Sequence, residues 1–530
     1  MRASRALLAM TMGVAGLALA PTHAYAAPKC GGERATVVGT SGDDTLRGTD
    51  ADDVIVGRGG DDELRGLDGH DLICGGDGKD ELRGGRGKDD LDGGGGDDLV
   101  RGEFAGDVLA GGPGDDKLDG GDDEDVLTYA NARDGVQVSL IEGVASGEGT
   151  DRIAAVESVR GTRLQDSLTG DDGANTLHAG DGADVVAGGQ GPDTLRGAGG
   201  DDEVNGEGGF DQVRGGPGTD ALFGGPAGDY VDDDDGDNTL DGGPGGDAIY
   251  TGPGDDSIDG GPGEDMVNFS AKADFEASLV TNTASGDGDD ELANLEGIRA
   301  NSTRDLTITG DDDANIMIAG VPEGHTSTVR GLEGNDHITV EPVADKGEAG
   351  DSLLPGGAGS DQIDGGCQSI KGGRDRIEGG GGADRLDGGC GVDELFGGAG
   401  RDVLQATGDK GRDSLDGGDG FDFAAFKEWG NRVVADLTKG SAHIHFPGDK
   451  VSALITLTAV EGLKGGSQPG NDTLIGDDGA NRILGLGGND TIKGKGGDDT
   501  LDGGNGRDRV KGGPGTDRCR DAEKDNGCEA

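Results

Sequence analysis

The chain has little of what builds an ordinary hydrophobic core. One of its 530 residues is Trp, aromatics are 3%, and 45 Lys plus Arg stand against 107 Asp plus Glu. Too few large apolar side chains are present for a conventional compact enzyme domain. A formal net charge of −62 excludes a nucleic-acid binder, because phosphate is held by clustered Lys and Arg. The same deficit excludes attraction to anionic lipid. Long apolar runs are also missing. The fifteen residues Ala6 to Ala20 form the one notable run, and that is short for a membrane span. Arg2 and Arg5 precede it and Ala24-Tyr25-Ala26 follows it, so residues 1–26 read as an export leader cut after Ala26. The mature chain is expected to be secreted, extracellular and without a membrane span. No G-x-S-x-G, H-E-x-x-H or P-loop pattern occurs. Acidic pairs are everywhere, so no glycosidase dyad can be singled out.

What the chain does have is glycine, 117 residues of it, about three times ordinary usage. Low hydrophobicity with high net charge reads as disorder unless something neutralises the charge. The order of the residues argues against disorder. From Gly39 to Gly120, Gly recurs every nine residues. Five residues after each sits an Asp, from Asp44 to Asp125, and seven after each sits an aliphatic, from Leu46 to Leu127. Ten Asp in ten units has a chance probability of about 10⁻⁷ at this composition. A second block, 161–268, holds twelve units, with Asn175 and Asn238 in two of the Asp places. A third block, 301–422, has insertions near Pro322, Pro342 and Lys371, and a fourth occupies 465–530. The first block spans 27–128.

Three segments of different composition separate the blocks: 129–160, 269–300 and 423–464. They carry less Gly and alternate apolar with polar residues, as in Val136-Gln137-Val138-Ser139-Leu140. Each ends on a similar phrase, Val156-Glu157-Ser158-Val159, Leu295-Glu296-Gly297-Ile298 and Val460-Glu461-Gly462-Leu463. They read as short β-rich spacers. The third holds Phe423, Phe426, Trp429 and Phe446, which suits either packing in a small core or a partner- or glycan-binding surface. His443 and His445 share one strand face there, two ligands where a transition-metal site needs more.

A unit reads G-x-x-G-x-D-x-U-x, with U aliphatic. Around U the chain makes a very short strand with only U inward, and the Gly-rich half turns sharply. Two units form a coil of about eighteen residues, and coils stack about 4.8 Å apart as parallel strands. One aliphatic per unit is thin against the entropy of ordering nine residues, and stacked Asp adds repulsion. The pattern therefore asks for a cation at the turns. Carboxylates with turn carbonyls suit Ca²⁺, which takes six to eight oxygens, better than octahedral Mg²⁺ or His/Cys-bound Zn²⁺.

The unit resembles the RTX nonapeptide GGxGxDxUx of hemolysin-type calcium-binding proteins, in a version exported through an N-terminal leader. The resemblance implies an all-β fold, a parallel β-roll, that forms when many Ca²⁺ ions bind between turns of successive coils. The ligands it implies are Asp44, Asp53, Asp62, Asp71, Asp80, Asp89, Asp98, Asp107, Asp116 and Asp125 in the first block. In the second they are Asp166, Asp184, Asp193, Asp202, Asp211, Asp220, Asp229, Asp247, Asp256 and Asp265. In the third and fourth they are Asp336, Asp361, Asp384, Asp393, Asp402, Asp413, Asp472, Asp490, Asp499, Asp508 and Asp517. Some units depart from the pattern. Thr49, Arg58 and Leu67 replace the second Gly, which weakens those turns as sites. Asn175, Asn238, Asn315 and Asn481 keep an oxygen and lose a charge. The insertions of the third block are expected to interrupt the stack.

Six Cys in an exported chain suggest three disulfides. Cys367 and Cys390 each sit two residues after a unit's first Gly, one coil apart, within bridging distance. Cys519 occupies the U place of the last unit, where a bond to Cys528 would cap the open end. A Cys30–Cys74 bridge requires the N-terminal tail to fold back. The functional expectation is a secreted, non-enzymatic calcium-binding module, structural or adhesive, with a cell-surface or matrix partner. The alternative is a polysaccharide-modifying enzyme, of lyase or epimerase type, on a β-helix scaffold. It would show Lys, Arg, Tyr or His clustered on one face, and the sequence shows no such cluster.

Overall fold

The computed structural model describes residues 29–320, 322, 324–341, 350–367, 373–407, 411–427, 432–445, 452–466, 470–522, 524–526 and 528. The leader, Trp429, Phe446, Pro342 and Lys371 lie outside the described residues. The chain divides into two compact units, one ending at Asp123 and one beginning at Glu124.

The first unit is a parallel β-solenoid. One sheet carries Val54–Gly59, Leu72–Asp77, Asp90–Gly95 and Val108–Ala110, and the facing sheet carries Glu63–Asp68, Glu81–Arg86, Leu99–Phe104 and Lys117–Asp122. Register steps by one coil: Ile55 pairs with Ile73, and Leu64 with Leu82. The aliphatics thus stack into two ladders that face each other, and Ile55, Leu64, Ile73, Leu82, Leu91 and Leu109 are fully buried. Many strands are longer than one U residue can explain. Glu63–Asp68 has a burial pattern in which both Leu64 and Gly66 point inward, so pairing runs into the turn and the first Gly lines the interior. The tail does fold back. Lys29–Cys30 and Glu33–Arg34 form an antiparallel hairpin through Gly31 and Gly32, both at positive φ, and Cys30 bonds to Cys74.

The second unit repeats this architecture, with paired rows such as Leu177, Leu195 and Val213, and adds one device three times. Phe275–Ser278, Thr283–Ser285 and Asp289–Ala293 form an antiparallel meander in one sheet. Its outer strands continue the parallel stack on either side. In the opposite sheet Met266–Ala271 pairs directly with Gly297–Ser302. Two extra rungs therefore stand on one face with none opposite. Gln137–Ser139, Val144–Ser146 and Thr150–Ala154 make the same turnaround, as do Arg432–Asp436, Ser441–His445 and Ser452–Thr458. The middle strand of each buries an alanine, Ala145, Ala284 or Ala442.

The third block corrects one expectation, because its insertions do not interrupt the stack. Leu306–Thr309, Thr326–Arg330, Asp351–Ala358 and Asp375–Gly382 pair in parallel in succession. The described strands on either side of the insertions keep their pairing in register. Cys367 bonds to Cys390 across this stretch, with Cα atoms 4.9 Å apart, and Cys519 bonds to Cys528 at the end. Phe423 and Phe426 are buried, and the His443 and His445 rings stack 6.2 Å apart. Among the described residues no helix is long and apolar enough to cross a membrane.

Candidate metal sites

The repeated Asp falls where a strand begins, after the Gly-rich turn and two residues before the buried aliphatic. All the Asp singled out above are buried except Asp44, which is half-buried. Stacking places them in columns along the two edges of each unit. Within a column each side chain serves its neighbour. The backbone N–H of Asp62 donates to Asp80 Oδ1 at 2.8 Å, and the N–H of Asp80 donates to Asp98 Oδ1 at 2.8 Å. The same ladder runs Asp184–Asp202–Asp220 and Asp472–Asp490–Asp508. In the third block it crosses coils of changed length, from Asn315 to Asp336, Asp361, Asp384 and Asp402. One carboxylate oxygen per turn is therefore committed to structure.

The second oxygen divides the turns into two kinds. In the open kind, Oδ2 is buried and accepts no hydrogen bond among the described residues. Asp62, Asp71, Asp80, Asp89 and Asp98 are of this kind, with Asp184, Asp193, Asp202, Asp211, Asp229, Asp336, Asp361, Asp384, Asp402, Asp490, Asp499 and Asp517. A Cβ placed on Gly93 would lie 2.6 Å from Asp98 Oδ2 and 2.7 Å from the Gly111 carbonyl oxygen. Space therefore favours glycine at the first place of the unit, although Ala179 holds that place in the open turn of Asp184. Glycine at 93 lets the Asp98 carboxylate oxygen and the Gly111 carbonyl oxygen of the next coil lie side by side, the carbonyl also accepting from the Gly94 N–H at 3.0 Å. The second place requires a different property, positive φ, which Gly85 adopts at 120°. Arg58 and Leu67 adopt it too, at 87° and 99°, so these two substitutions keep the turn open.

In the closed kind, the turn satisfies its own carboxylate. Thr49 N–H donates to Asp53 Oδ2 at 2.6 Å and the Thr49 hydroxyl at 2.8 Å. Thr40 does the same for Asp44, and the Thr162 N–H bonds Asp166 Oδ2. The Asn turns are also closed. Asp171, Asp311 and Asp477 donate their N–H to the Oδ1 of Asn175, Asn315 and Asn481 at 2.7, 2.7 and 2.8 Å.

Burial pushes the carboxyls of Asp80, Asp89 and Asp184 up to about 6 and those of Asp98, Asp384 and Asp490 up to about 7, against the opposing donation of a backbone N–H. In the closed turn of Asp44 the Thr40 N–H and hydroxyl hold the carboxyl below its usual range. An open turn is a desolvated anion lacking a positive partner, which a cation would supply.

Several ladder members escape the repeat pattern. Glu157, Glu296 and Glu461 close the spacers by taking the ladder place, accepting from the N–H of Asp125, Asp265 and Asp422 at 3.0, 2.8 and 3.0 Å. One coil later on the same edge come Asn175, Asn315 and Asn481. The recurring Val-Glu and Leu-Glu phrases were the visible signal of this role. Asp422 is fully buried and accepts from the Asp402 N–H. Its unit was masked in the pattern by Ala424 in the aliphatic place. Asp290 and Asp375 join the columns from outside the nine-residue phase.

No group of three or more His, Cys, Asp and Glu side chains converges among the described residues. Each open turn offers one carboxylate with backbone carbonyls, all hard oxygen donors, which fits Ca²⁺ and does not fit a thiolate- or imidazole-bound metal. Among curated proteins none matches the chain in sequence. The profile of the RTX calcium-binding nonapeptide repeat (4 copies) matches residues 38–73, 75–105, 101–136, 160–195, 196–231, 232–267, 346–366, 371–404, 405–424, 468–497 and 484–519. These segments cover more than half of the chain, their glycines and aspartates build the columns described above, and the chain belongs to the RTX calcium-binding nonapeptide-repeat family.

Proposed function

We propose that this is a secreted, non-enzymatic calcium-binding protein whose roll orders when extracellular Ca²⁺ fills the open turns. The aspartates of those turns supply one carboxylate oxygen each, and turn carbonyls of successive coils supply the rest. The observation that carries this reading is the column of buried carboxylate oxygens without a hydrogen-bond donor, many of them, such as those of Asp62, Asp80, Asp98, Asp193 and Asp384, beside a glycine carbonyl of the next coil. Calcium is scarce where the chain is made and abundant outside, so binding energy becomes folding energy after export. Extracellular modules work with weak sites, about 10⁻⁴–10⁻³ M. The ordered roll then acts as a structural or adhesive module toward a cell-surface or matrix partner. Far-UV circular dichroism of residues 27–530 during a Ca²⁺ titration tests the switch. A coil-to-strand transition with Ca²⁺ and none with Mg²⁺ is expected. A strand signal unchanged by chelation refutes the switch, and a coil signal unchanged in excess Ca²⁺ refutes the calcium reading itself.

A further inference from the structure

Stacking assembles a surface feature that is hidden along the chain. Arg160, His178, Arg196 and Arg214 each follow a buried aliphatic by one position, and eighteen positions separate each from the next. Strand pairing puts them on successive rungs of one sheet, Arg160 beside His178, His178 beside Arg196 and Arg196 beside Arg214. Rungs lie about 4.8 Å apart, so four basic side chains form a ladder on one outer face of the second unit. The facing sheet of the same coils, Ser167–Thr169, Val185–Gln190, Glu203–Gly208 and Ala221–Phe223, carries no Lys, Arg or His.

The first unit shows how such a ladder is neutralised. Arg65, Arg83 and Arg101 stack there in the same way, and ion pairs join Arg65 to Glu63 and both Arg83 and Arg101 to Glu81. Each of these Glu stands two residues before an Arg of the ladder. In the second unit the corresponding places hold Ser158, Thr176, Thr194 and Gln212, which carry no charge. Arg214 pairs with Asp232 at 3.4 Å, whereas Arg160, His178 and Arg196 form no ion pair among the described residues. Arg160 and Arg196 are exposed and His178 is half-buried. Beyond Arg214 the face continues with Tyr230 and Tyr250, whose rings lie 4.7 Å apart.

In a chain of net charge −62, uncompensated cations in equal steps call for a partner that offers anions in equal steps. That partner is slim, because exposed Asp172 and Asp201 stand in the turns at the two edges of the strip and would repel a duplex or a bilayer. Single-stranded nucleic acid needs aromatic platforms for its bases, and the four rungs hold none. They hold hydroxyl and amide groups instead, at Thr176, Thr194 and Gln212. These suit the hydroxyls of a sugar, as guanidinium suits its carboxylate. We propose that the ladder binds one strand of an acidic polysaccharide, with carboxylate-bearing sugars laid along Arg160, His178 and Arg196. The proposal rests on the calcium reading, because the ladder exists only in the ordered roll, and it names the chemistry of the partner.

The test is calorimetric titration of the full mature chain in saturating Ca²⁺ with a galacturonate hexamer, with maltohexaose as the neutral sugar and hexaglutamate as the acidic peptide. Circular dichroism follows strand content. The galacturonate hexamer is expected to bind, more weakly as salt rises, and maltohexaose is not. Arg160→Gln combined with Arg196→Gln is expected to weaken binding at least about tenfold with strand content unchanged. Arg65→Gln combined with Arg83→Gln removes the same formal charge from the neutralised ladder and is expected to leave binding unchanged. Equal loss in the two double variants overturns the assignment, because it reports net charge alone. Hexaglutamate binding as tightly as galacturonate also overturns it and makes the partner an acidic peptide. An ordered chain that binds no galacturonate overturns this proposal alone. A chain without strand content at any Ca²⁺ concentration overturns the calcium reading with it.

Discussion

Four consecutive glycines, Gly379 to Gly382, occupy the first four places of one unit, and the structure assigns them different reasons for being glycine. Gly379 has ordinary φ, but a Cβ there would collide with Asp384 Oδ2 and the Gly397 carbonyl. Gly380 and Gly382 have φ of 103° and 142°, and a Cβ on either would collide with a backbone carbonyl, of Gly357 or Gly359. Gly381 has neither constraint, and a Cβ on it meets nothing within 4 Å. Alanine at 380 or 382 combines left-handed strain of about 1–2 kcal/mol with overpacking of about 1–3 kcal/mol, for a loss of about 2–5 kcal/mol. Alanine at 379 costs about 1–3 kcal/mol from overpacking alone and also fills the space beside Asp384. Alanine at 381 is expected to gain about 0.4–1 kcal/mol by restricting the unfolded chain. Solenoid stability is local, so the assay is hydrogen exchange of the amides in Asp375–Gly382 and Glu394–Gly400 in saturating Ca²⁺. Exchange should accelerate roughly thirtyfold or more for Gly380→Ala and Gly382→Ala. It should slow or stay unchanged for Gly381→Ala. Equal acceleration at 380, 381 and 382 would refute the reasoning, because it would mean that glycine serves backbone flexibility throughout the turn.

Other outcomes follow from the same geometry. Without metal, strand content should rise as pH falls from 7 toward 4. The buried carboxyls of Asp98, Asp384 and Asp490 are raised to about 7, so their contribution is complete below the unfolded value of about 3.9 and is lost as pH rises through the folded one. Circular dichroism in chelator across that range checks it, and a flat profile or a fall on acidification contradicts it. Leu67→Gly should stabilise the first unit by about 1–2 kcal/mol, since Leu67 sits at φ 99°, read as a higher urea midpoint. Glu296→Ala leaves the Asp265 N–H without its acceptor and should cost about 1–3 kcal/mol. Faster exchange at that amide, with coils far from it unaffected, is the expected signature.

The sequence by itself determined the coil. A nine-residue period that carries Gly, Asp and an aliphatic in constant phase leaves two aliphatic ladders and edge columns of Asp as the arrangement that buries every aliphatic at once. Leu64 over Leu82 and Asp62 over Asp80 were legible for that reason, and so was Cys367 beside Cys390. The spacers were legible as strands but not as meanders. Which strand of Phe275–Ser278, Thr283–Ser285 and Asp289–Ala293 returns to the stack depends on pairing between residues far apart in the chain. The state of each turn also lay beyond the pattern. Asp53 and Asp62 occupy the same place in the same motif, yet Thr49 closes one turn and positive φ at Arg58 leaves the other open. That Asp220 and Asp233 both reach the space beside Gly215 is invisible along the chain, where they lie thirteen positions apart. Periodicity specifies which residues stack, because stacking repeats the same local geometry. Only the tertiary structure decides which oxygen atoms are left without a donor, because hydrogen bonds within and between coils compete for each of them.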